Sequence, residues 1–270
     1  MRNAISLYWS GGSKSGVNYG DALSPAIIEI LSGKKVKYSP IYRCDVVAIG
    51  SVLEKLFKNR WKRLLYAKVS PVSVWGTGSM FHDSMISTFN TQILSVRGRL
   101  TASKLKLPQD TPIGDPGILA DLLLPTGDRR KKFKWGIVPH FVDFADPRVC
   151  ALSERIPRST VIDVKDPDVR ETTRRISECE YVLSSSLHGL IAADALGIPN
   201  IRMIVTNKLA GGNWKFDDYS SSLGNRQMLL FNLNDNADLN AIEKEIKWNY
   251  SPHIGTLKKE TVAAFKKLRL

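Results

Sequence analysis

Short apolar runs alternate along this chain with stretches of helical periodicity. Runs rich in branched and aromatic residues fall at Ile5–Trp9, Val46–Ile49, Val72–Trp75 and Gln92–Val96, and again at Lys134–Val138, Val161–Val164 and Tyr181–Leu183. Such runs, separated by helical patterns, predict an α/β protein of parallel sheets flanked by helices. Asp166 and Pro167 read as the N-cap and first position of a helix reaching about Cys179. A second helix is expected over Leu187–Leu196, stopped by Gly197 with Pro199 beyond it. At the end of the chain, Ile254, Leu257, Val262, Phe265 and Leu268 form one face of an amphipathic helix over residues 253–270.

The alternation breaks at Leu124–Lys132, which combines Pro, Gly and a run of charges. Read as a linker, it divides the chain into residues 1–125, residues 126–252 and the closing helix; a solvated surface loop within one larger domain fits the same residues. Two halves of this size suit a chain of 270 residues better than one α/β domain does. They also suit a ligand cleft between domains.

Composition narrows the classes. No stretch approaches the ~18 apolar residues of a membrane span, and Met1–Leu7 reads as a first strand, not a signal peptide. Cys44, Cys150 and Cys179 are odd in number and widely spaced, which argues against a disulfide framework and for a reducing, cytoplasmic setting. Cys179 reads as a small buried residue. No His, Asp or Cys cluster has metal-ligand spacing, so no obligatory metal or cofactor is expected. The net charge of +13, from 39 basic and 26 acidic residues, implies an anionic partner. The basic residues are spread out and no nucleic-acid-binding motif appears, so nucleic acid ranks last. Leu53–Tyr66 interleaves Lys and Arg with Leu, Phe and Trp. Two readings stand: a helix lying on an anionic membrane, or an apolar stripe in the core with solvated lysines.

The strongest local feature is Ser184-Ser185-Ser186-Leu187-His188-Gly189, a turn from strand into helix. A helix N-terminus ringed with hydroxyls holds phosphate or carboxylate, and His188 in its first turn is suited to proton transfer near neutral pH. A capped helix with a structural His fits the same spacing. Asn18-Tyr19-Gly20-Asp21 follows a flexible Gly-rich run that does not close a P-loop. Asn18 and Asp21 suit sugar hydroxyls, although Asp21 as a helix cap explains the motif equally well. Arg97 and Arg99 in Ser95–Arg99 suit a carboxylate or phosphate clamp. Gly76-Thr77-Gly78, Gly114-Asp115-Pro116 and Pro139-His140 end strands or turn beside them. Residues 211–219, which include Lys215, have the glycines and aromatics of a substrate loop, and an ordinary surface loop fits them equally.

Taken in order, Asn18–Asp21, Gly76–Gly78, Ser95–Gly98, Gly114–Pro116 and Ser186–Gly189 resemble the polysaccharide pyruvyl transferase family over roughly residues 18–220. The resemblance implies two Rossmann-like domains facing across a cleft, as in GT-B glycosyltransferases. It implies phosphoenolpyruvate as donor and a sugar of an exopolysaccharide, capsule or lipid-linked precursor as acceptor, with a pyruvate ketal and phosphate as products. It assigns His188 as general acid/base and Arg97 as a donor ligand. Arg99, Ser185, Ser186, Leu187, Gly189 and Lys215 are expected beside the donor. Asn18, Tyr19, Asp21, Gly76, Thr77, Gly78, Asp115 and His140 are expected at the acceptor or along the cleft. Residues 1–125 would then be the acceptor side and residues 126–252 the donor side. Several family members carry Arg where this chain has Ser186, so a donor contact must come from elsewhere. A lipid-linked acceptor adds a peripheral position at the inner face of the cell membrane to the expected location. A nucleotide-sugar glycosyltransferase on the same architecture, and a non-catalytic anion binder, are the competing expectations.

Overall fold

A computed structural model describes residues 4–12, 18–65, 70–127, 130–206, 209–224, 228–233, 239–248 and 253–268. The first part runs β1 (Ala4–Tyr8), α1 (Tyr19–Ser32), β2 (Lys35–Tyr38), β3 (Val46–Val47), α2 (Leu53–Lys58), α3 (Arg60–Leu65), β4 (Val72–Trp75), β5 (Thr91–Ser95), α4 (Arg99–Lys104) and a 3-10 helix, Pro116–Leu123. The second runs β6 (Phe133–Val138), α5 (Pro147–Arg155), β7 (Ser159–Val161), α6 (Val169–Ser177), β8 (Cys179–Ser184), α7 (Leu187–Ala195), β9 (Asn200–Ile204), α8 (Trp214–Ser220), β10 (Leu230–Asn232), α9 (Leu239–Trp248) and α10 (Ile254–Phe265).

Each part builds a five-stranded sheet, in the orders β2-β1-β3-β4-β5 and β10-β9-β8-β6-β7. Every pairing between these strands is parallel. Counted within its own half, each sheet has the same doubly wound order, 2-1-3-4-5. The chain reverses direction across the sheet between β1 and β3, and again between β6 and β8. In such sheets the crevice outside the carboxyl ends of the strands at the reversal is where ligands bind.

The two halves share a core. One apolar cluster joins Leu23 and Ile27 of α1, Ile118 and Leu119 of the 3-10 helix, Leu190 and Ile191 of α7, and Leu257 and Phe265 of α10. Helix α10 packs back on the first half, where the Trp75 indole donates to the Thr261 carbonyl (3.0 Å). Lys258 on α10 donates to Asp121 (2.7 Å) and to the Ala195 carbonyl (2.6 Å), joining the 3-10 helix to α7. Tyr19 bridges the halves twice, through its amide to the Val164 carbonyl (2.7 Å) and its hydroxyl to Thr173 (2.8 Å).

Several expectations are corrected. Strands β2, β9 and β10 lay outside the predicted runs. The helix expected from Asp166 starts later: Asp168 is its cap, and Asp166 accepts from the Asp168 amide (2.9 Å) in a turn before it. Leu53–Tyr66 is not one amphipathic helix. It breaks at Asn59, and Arg63 is buried, donating to the Ile41, Cys44 and Ser70 carbonyls. Tyr66 lies outside the described residues, as do Asp128 and Arg129 of the expected linker. The substrate loop at 211–219 is largely helix α8. Cys179 is buried, and burial pushes its thiol up to about 12. No helix among the described residues is long and apolar enough to cross a membrane.

Candidate active site

The carboxyl ends of the strands at both reversal points open into one cleft of about 410 Å³. The first half lines it with Ser10 and Gly11 after β1, Asn18 and Asp21 of α1, Gly50–Val52 after β3, and Lys55 of α2. From the second half come His140 and Phe141 after β6, Val164 and Lys165 after β7, Ser186–His188 after β8, and Lys215 on α8.

The Ser184–Gly189 turn is wired from inside. The Ser184 hydroxyl donates to the Val138 carbonyl (2.8 Å) and accepts from the Ser186 amide (3.0 Å), clamping β8 to β6. Ser185 donates to Asp143 (2.7 Å) and accepts from the His140 amide (2.8 Å), which ties the loops after β6 and β8 together. Gly189 seats α7 on the sheet, because a Cβ there would lie 2.4 Å from the Ser184 hydroxyl. Ser186 is the N-cap of α7 and makes no side-chain capping bond. The first turn of α7 lines the cleft at Ser186–His188 and has no side-chain cap among the described residues, and a helix N-terminus of this kind favours an anion.

His188 sits between two elements of the first half. Its Nε2 lies 3.6 Å from Asp115 Oδ2, and among the described residues both buried atoms lack a hydrogen-bond partner. Asp115 caps the 3-10 helix through Oδ1, which accepts from the Gly117 amide (2.9 Å). A carboxylate behind one ring nitrogen orients the imidazole and leaves the other nitrogen for proton transfer. The Nδ1 edge rests on Gly20, where a Cβ would lie 2.0 Å from Nδ1.

The first turn of α1 supplies a second titratable group. Asn18, not Asp21, is the cap: its Oδ1 accepts from the Asp21 amide (3.2 Å) and its Nδ2 donates to Asp21 Oδ2 (2.6 Å). Burial pushes the Asp21 carboxyl up to about 6, against the opposing pulls of His188, Asn18 and Lys55. Lys55 Nζ donates to Ser10 (2.7 Å) at the cleft rim.

The cations are set deeper. Lys215 is 8% exposed, and among the described residues its ammonium meets no carboxylate and no hydrogen-bond acceptor. Its nearest aromatic neighbour is the Phe216 ring, 5.4 Å away. Burial brings Lys215 down to about 8, helped by Arg97 and Arg202 and opposed by Asp143. His140 is pulled down to about 4, first by burial and then by Lys215, so it is neutral at pH 7.

Other residues expected at the site stand behind it. Arg97 is fully buried: it pairs with Asp218 (2.9 Å) and donates to Ser51 (2.6 Å) and the Ser79 carbonyl (2.7 Å). A guanidinium with those partners braces the Ser51 wall and is not a free donor ligand. Arg99 is turned away, donating to the Gln109 carbonyl (3.0 Å) beside α10. Gly76 closes on Pro116, where a Cβ would lie 2.2 Å from the ring, and Gly78 lies flat on the Arg97 guanidinium. Thr77 donates to the Gly50 carbonyl (2.6 Å) and holds that loop in place. Tyr19, Asp115, Ser185 and Gly189 are likewise supports, not lining. Ser10, Gly50, Ser51, Lys55 and Met80 were missed. Gly50-Ser51 did end a predicted strand, but nothing local distinguished Lys55 from the other lysines around it.

The model of the polysaccharide pyruvyl transferase family matches residues 18–207, from the cap of α1 to just past β9. An uncharacterized protein of Acanthamoeba polyphaga mimivirus is 30% identical over 223 residues, covering 77% of this chain and 71% of that protein. The succinoglycan biosynthesis protein ExoV of Rhizobium meliloti (strain 1021) is 27% identical over 222 residues, covering 80% of this chain and 64% of ExoV. Among solved structures, MurG of Acinetobacter baumannii overlaps 98% of this chain and 95% of its own at a TM-score of 0.43 and 8% identity. The E. coli heptosyltransferase WaaC with ADP overlaps 91% and 99% at a TM-score of 0.36 and 13% identity. With the family model spanning both faces of the cleft, the chain belongs to the polysaccharide pyruvyl transferase family.

Proposed function

We propose that this chain transfers the pyruvyl group of phosphoenolpyruvate to a sugar of an exopolysaccharide, a capsule or their lipid-linked precursor. The observation that carries this reading is Lys215, a buried cation with no hydrogen-bonded or ion-paired acceptor among the described residues, in the same cleft as the N-terminus of α7 and His188. Phosphoenolpyruvate has a carboxylate and a phosphate, and such a site stabilises both through an ammonium and oriented N–H groups. Lys215 replaces the contact that Ser186 cannot make. The similarity to ExoV, whose name places it in succinoglycan biosynthesis, supports a polysaccharide-related acceptor.

The chemistry closes without an outside reagent. A proton added to the methylene carbon makes the adjacent carbon an oxocarbenium-like centre, which a sugar hydroxyl attacks. A second hydroxyl then displaces phosphate, which leaves with the electrons of its C–O bond. Two hydroxyl protons are released; one replaces the proton given to carbon and the other leaves on phosphate. His188, oriented by Asp115, donates the first proton. The test is phosphate release from phosphoenolpyruvate with glycan acceptors, alongside calorimetry of donor binding. His188→Ala is expected to lose about 10²- to 10⁴-fold in kcat while still binding the donor. Full activity of the variant would remove His188 from the chemistry. Tight binding of nucleoside diphosphates, with none of phosphoenolpyruvate, would favour a glycosyltransferase instead.

Trp61, Leu64 and Leu65 are exposed on α3 next to Lys58, Arg60 and Lys62, with the Phe89 ring tilted against Trp61 at 5.9 Å. This apolar and basic surface supports peripheral docking on an anionic membrane, where a lipid-linked acceptor resides. Co-sedimentation with phosphatidylserine vesicles at low salt is expected, and its absence would remove the membrane from the proposal.

A further inference from the structure

Asp21 stands across the cleft from the donor-holding elements, and capping does not account for its carboxylate. Asn18 already satisfies the end of α1 through the Asp21 amide. The Asn18 side chain also holds Asp21 Oδ2 at 2.6 Å, which fixes the carboxylate plane. Among the described residues Oδ1 accepts no hydrogen bond, although Asp21 lines the cleft wall. Gly50, whose φ of 99° suits glycine, forms the facing wall at ordinary contact distance from that oxygen. The preceding residue, Gly20, lies against the His188 imidazole. Two proton-carrying groups from the two halves of the molecule therefore converge on the same cleft.

We propose that Asp21 is the second catalytic acid/base of this site, acting on the acceptor hydroxyls while His188 serves the donor carbon. This role rests on the pyruvyl-transfer reading above. His188 first gives its proton to the methylene carbon. Asp21 takes the proton of the first attacking hydroxyl as its oxygen bonds to the cationic carbon. Asp21 then hands that proton to the departing phosphate, and His188 takes the proton of the second hydroxyl. Both groups return to their starting states with no proton left over. The groups facing Asp21 are His188 from α7, Lys55 from α2 and Asn18 on its own helix. A carboxyl near 6 is suited to this double duty, basic enough as carboxylate to accept a proton and acidic enough, once protonated, to donate it.

The experiment compares wild type with Asp21→Asn and Asp21→Glu in the phosphate-release assay at saturating substrates, with phosphoenolpyruvate binding measured by calorimetry. Asp21→Asn is expected to lose about 10²- to 10⁴-fold in kcat with donor affinity within about twofold, since the donor cations lie on the other half. It is also expected to lose the part of the wild-type pH profile in which kcat falls as pH drops through about 6. Asp21→Glu is expected to restore part of kcat. The role is overturned if Asp21→Asn keeps wild-type kcat or the same fall with acid, or if it loses donor binding in parallel with kcat. If wild type itself releases no phosphate with any acceptor, the pyruvyl-transfer reading falls and takes this role with it. A deficit confined to the variants concerns Asp21 alone.

Discussion

Lys215 holds a positive charge where little water reaches it, and that cost is measurable. Its folded pKa is about 8 against an ordinary 10.5, so the unfolded chain binds its proton more strongly. Stability from this group therefore rises as pH climbs from about 8 to 10.5, and the penalty is fully present at neutral pH. Its upper limit is about 3 kcal/mol. An anion bound beside it offsets that penalty, which links ligand binding to stability. Lys215→Met is expected to raise the melting temperature of the unliganded protein by roughly 2–4 °C at pH 7. The same variant should abolish the upward shift that phosphoenolpyruvate gives wild type, and fluorimetric melting curves read both. His188 and Asp115 illustrate the opposite economy at this scale. Neither residue's local sequence announces a pair, because 73 positions separate them, yet their buried unpaired atoms point at each other across 3.6 Å.

At the scale of elements, glycines decide how closely helices and loops meet. Gly20 is the second residue of α1, a position where Ala would improve helix propensity by about 1 kcal/mol. It is also where α1 touches the His188 ring, so a methyl group has no room. Gly20→Ala is expected to destabilise by about 1–3 kcal/mol and to cost about 10²-fold or more in kcat by displacing the imidazole; urea unfolding and the phosphate-release assay measure the two effects. The strand–turn–helix units around β6 and β8, and strand β4, were legible because their apolar runs are continuous and end in turn residues. The edge strand β2, Lys35-Val36-Lys37-Tyr38, hid behind its lysines, as solvent-facing edge strands do. Strand β9 carries Arg202 in its middle, and that guanidinium packs on the Phe216 ring at 3.8 Å, a partner supplied only by the fold. Helix α8 was taken for a loop because its polar residues are partly buried against α4: Asp218 accepts from the Thr101 amide (2.8 Å) and hydroxyl (2.6 Å).

The whole molecule depends on the two halves holding a fixed relation, since each contributes one wall of the cleft. The buried Arg97–Asp218 pair joins the loop after β5 to α8, the helix that carries Lys215. Removing one partner leaves a buried charge alone, so Arg97→Ala is expected to cost about 3–5 kcal/mol in urea unfolding. Arg97→Met combined with Asp218→Leu should cost clearly less, and equal losses would show that the pair is not the main tie. What the sequence by itself determined is the α/β class, the strand–turn–helix at Ser184–Gly189 and the order of motifs that carries family membership. These follow from local periodicity, turn chemistry and composition, which need no distant partner. Only the tertiary structure decided which polar residues line the cleft. Arg97, Thr77 and Ser185 turn away from it to brace the walls, while Lys55, Lys215 and Asp21 line it. The reason is that a polar side chain's role is set by whether a buried partner reaches it, and the reversal of two separate sheets brings those partners together from opposite ends of the chain.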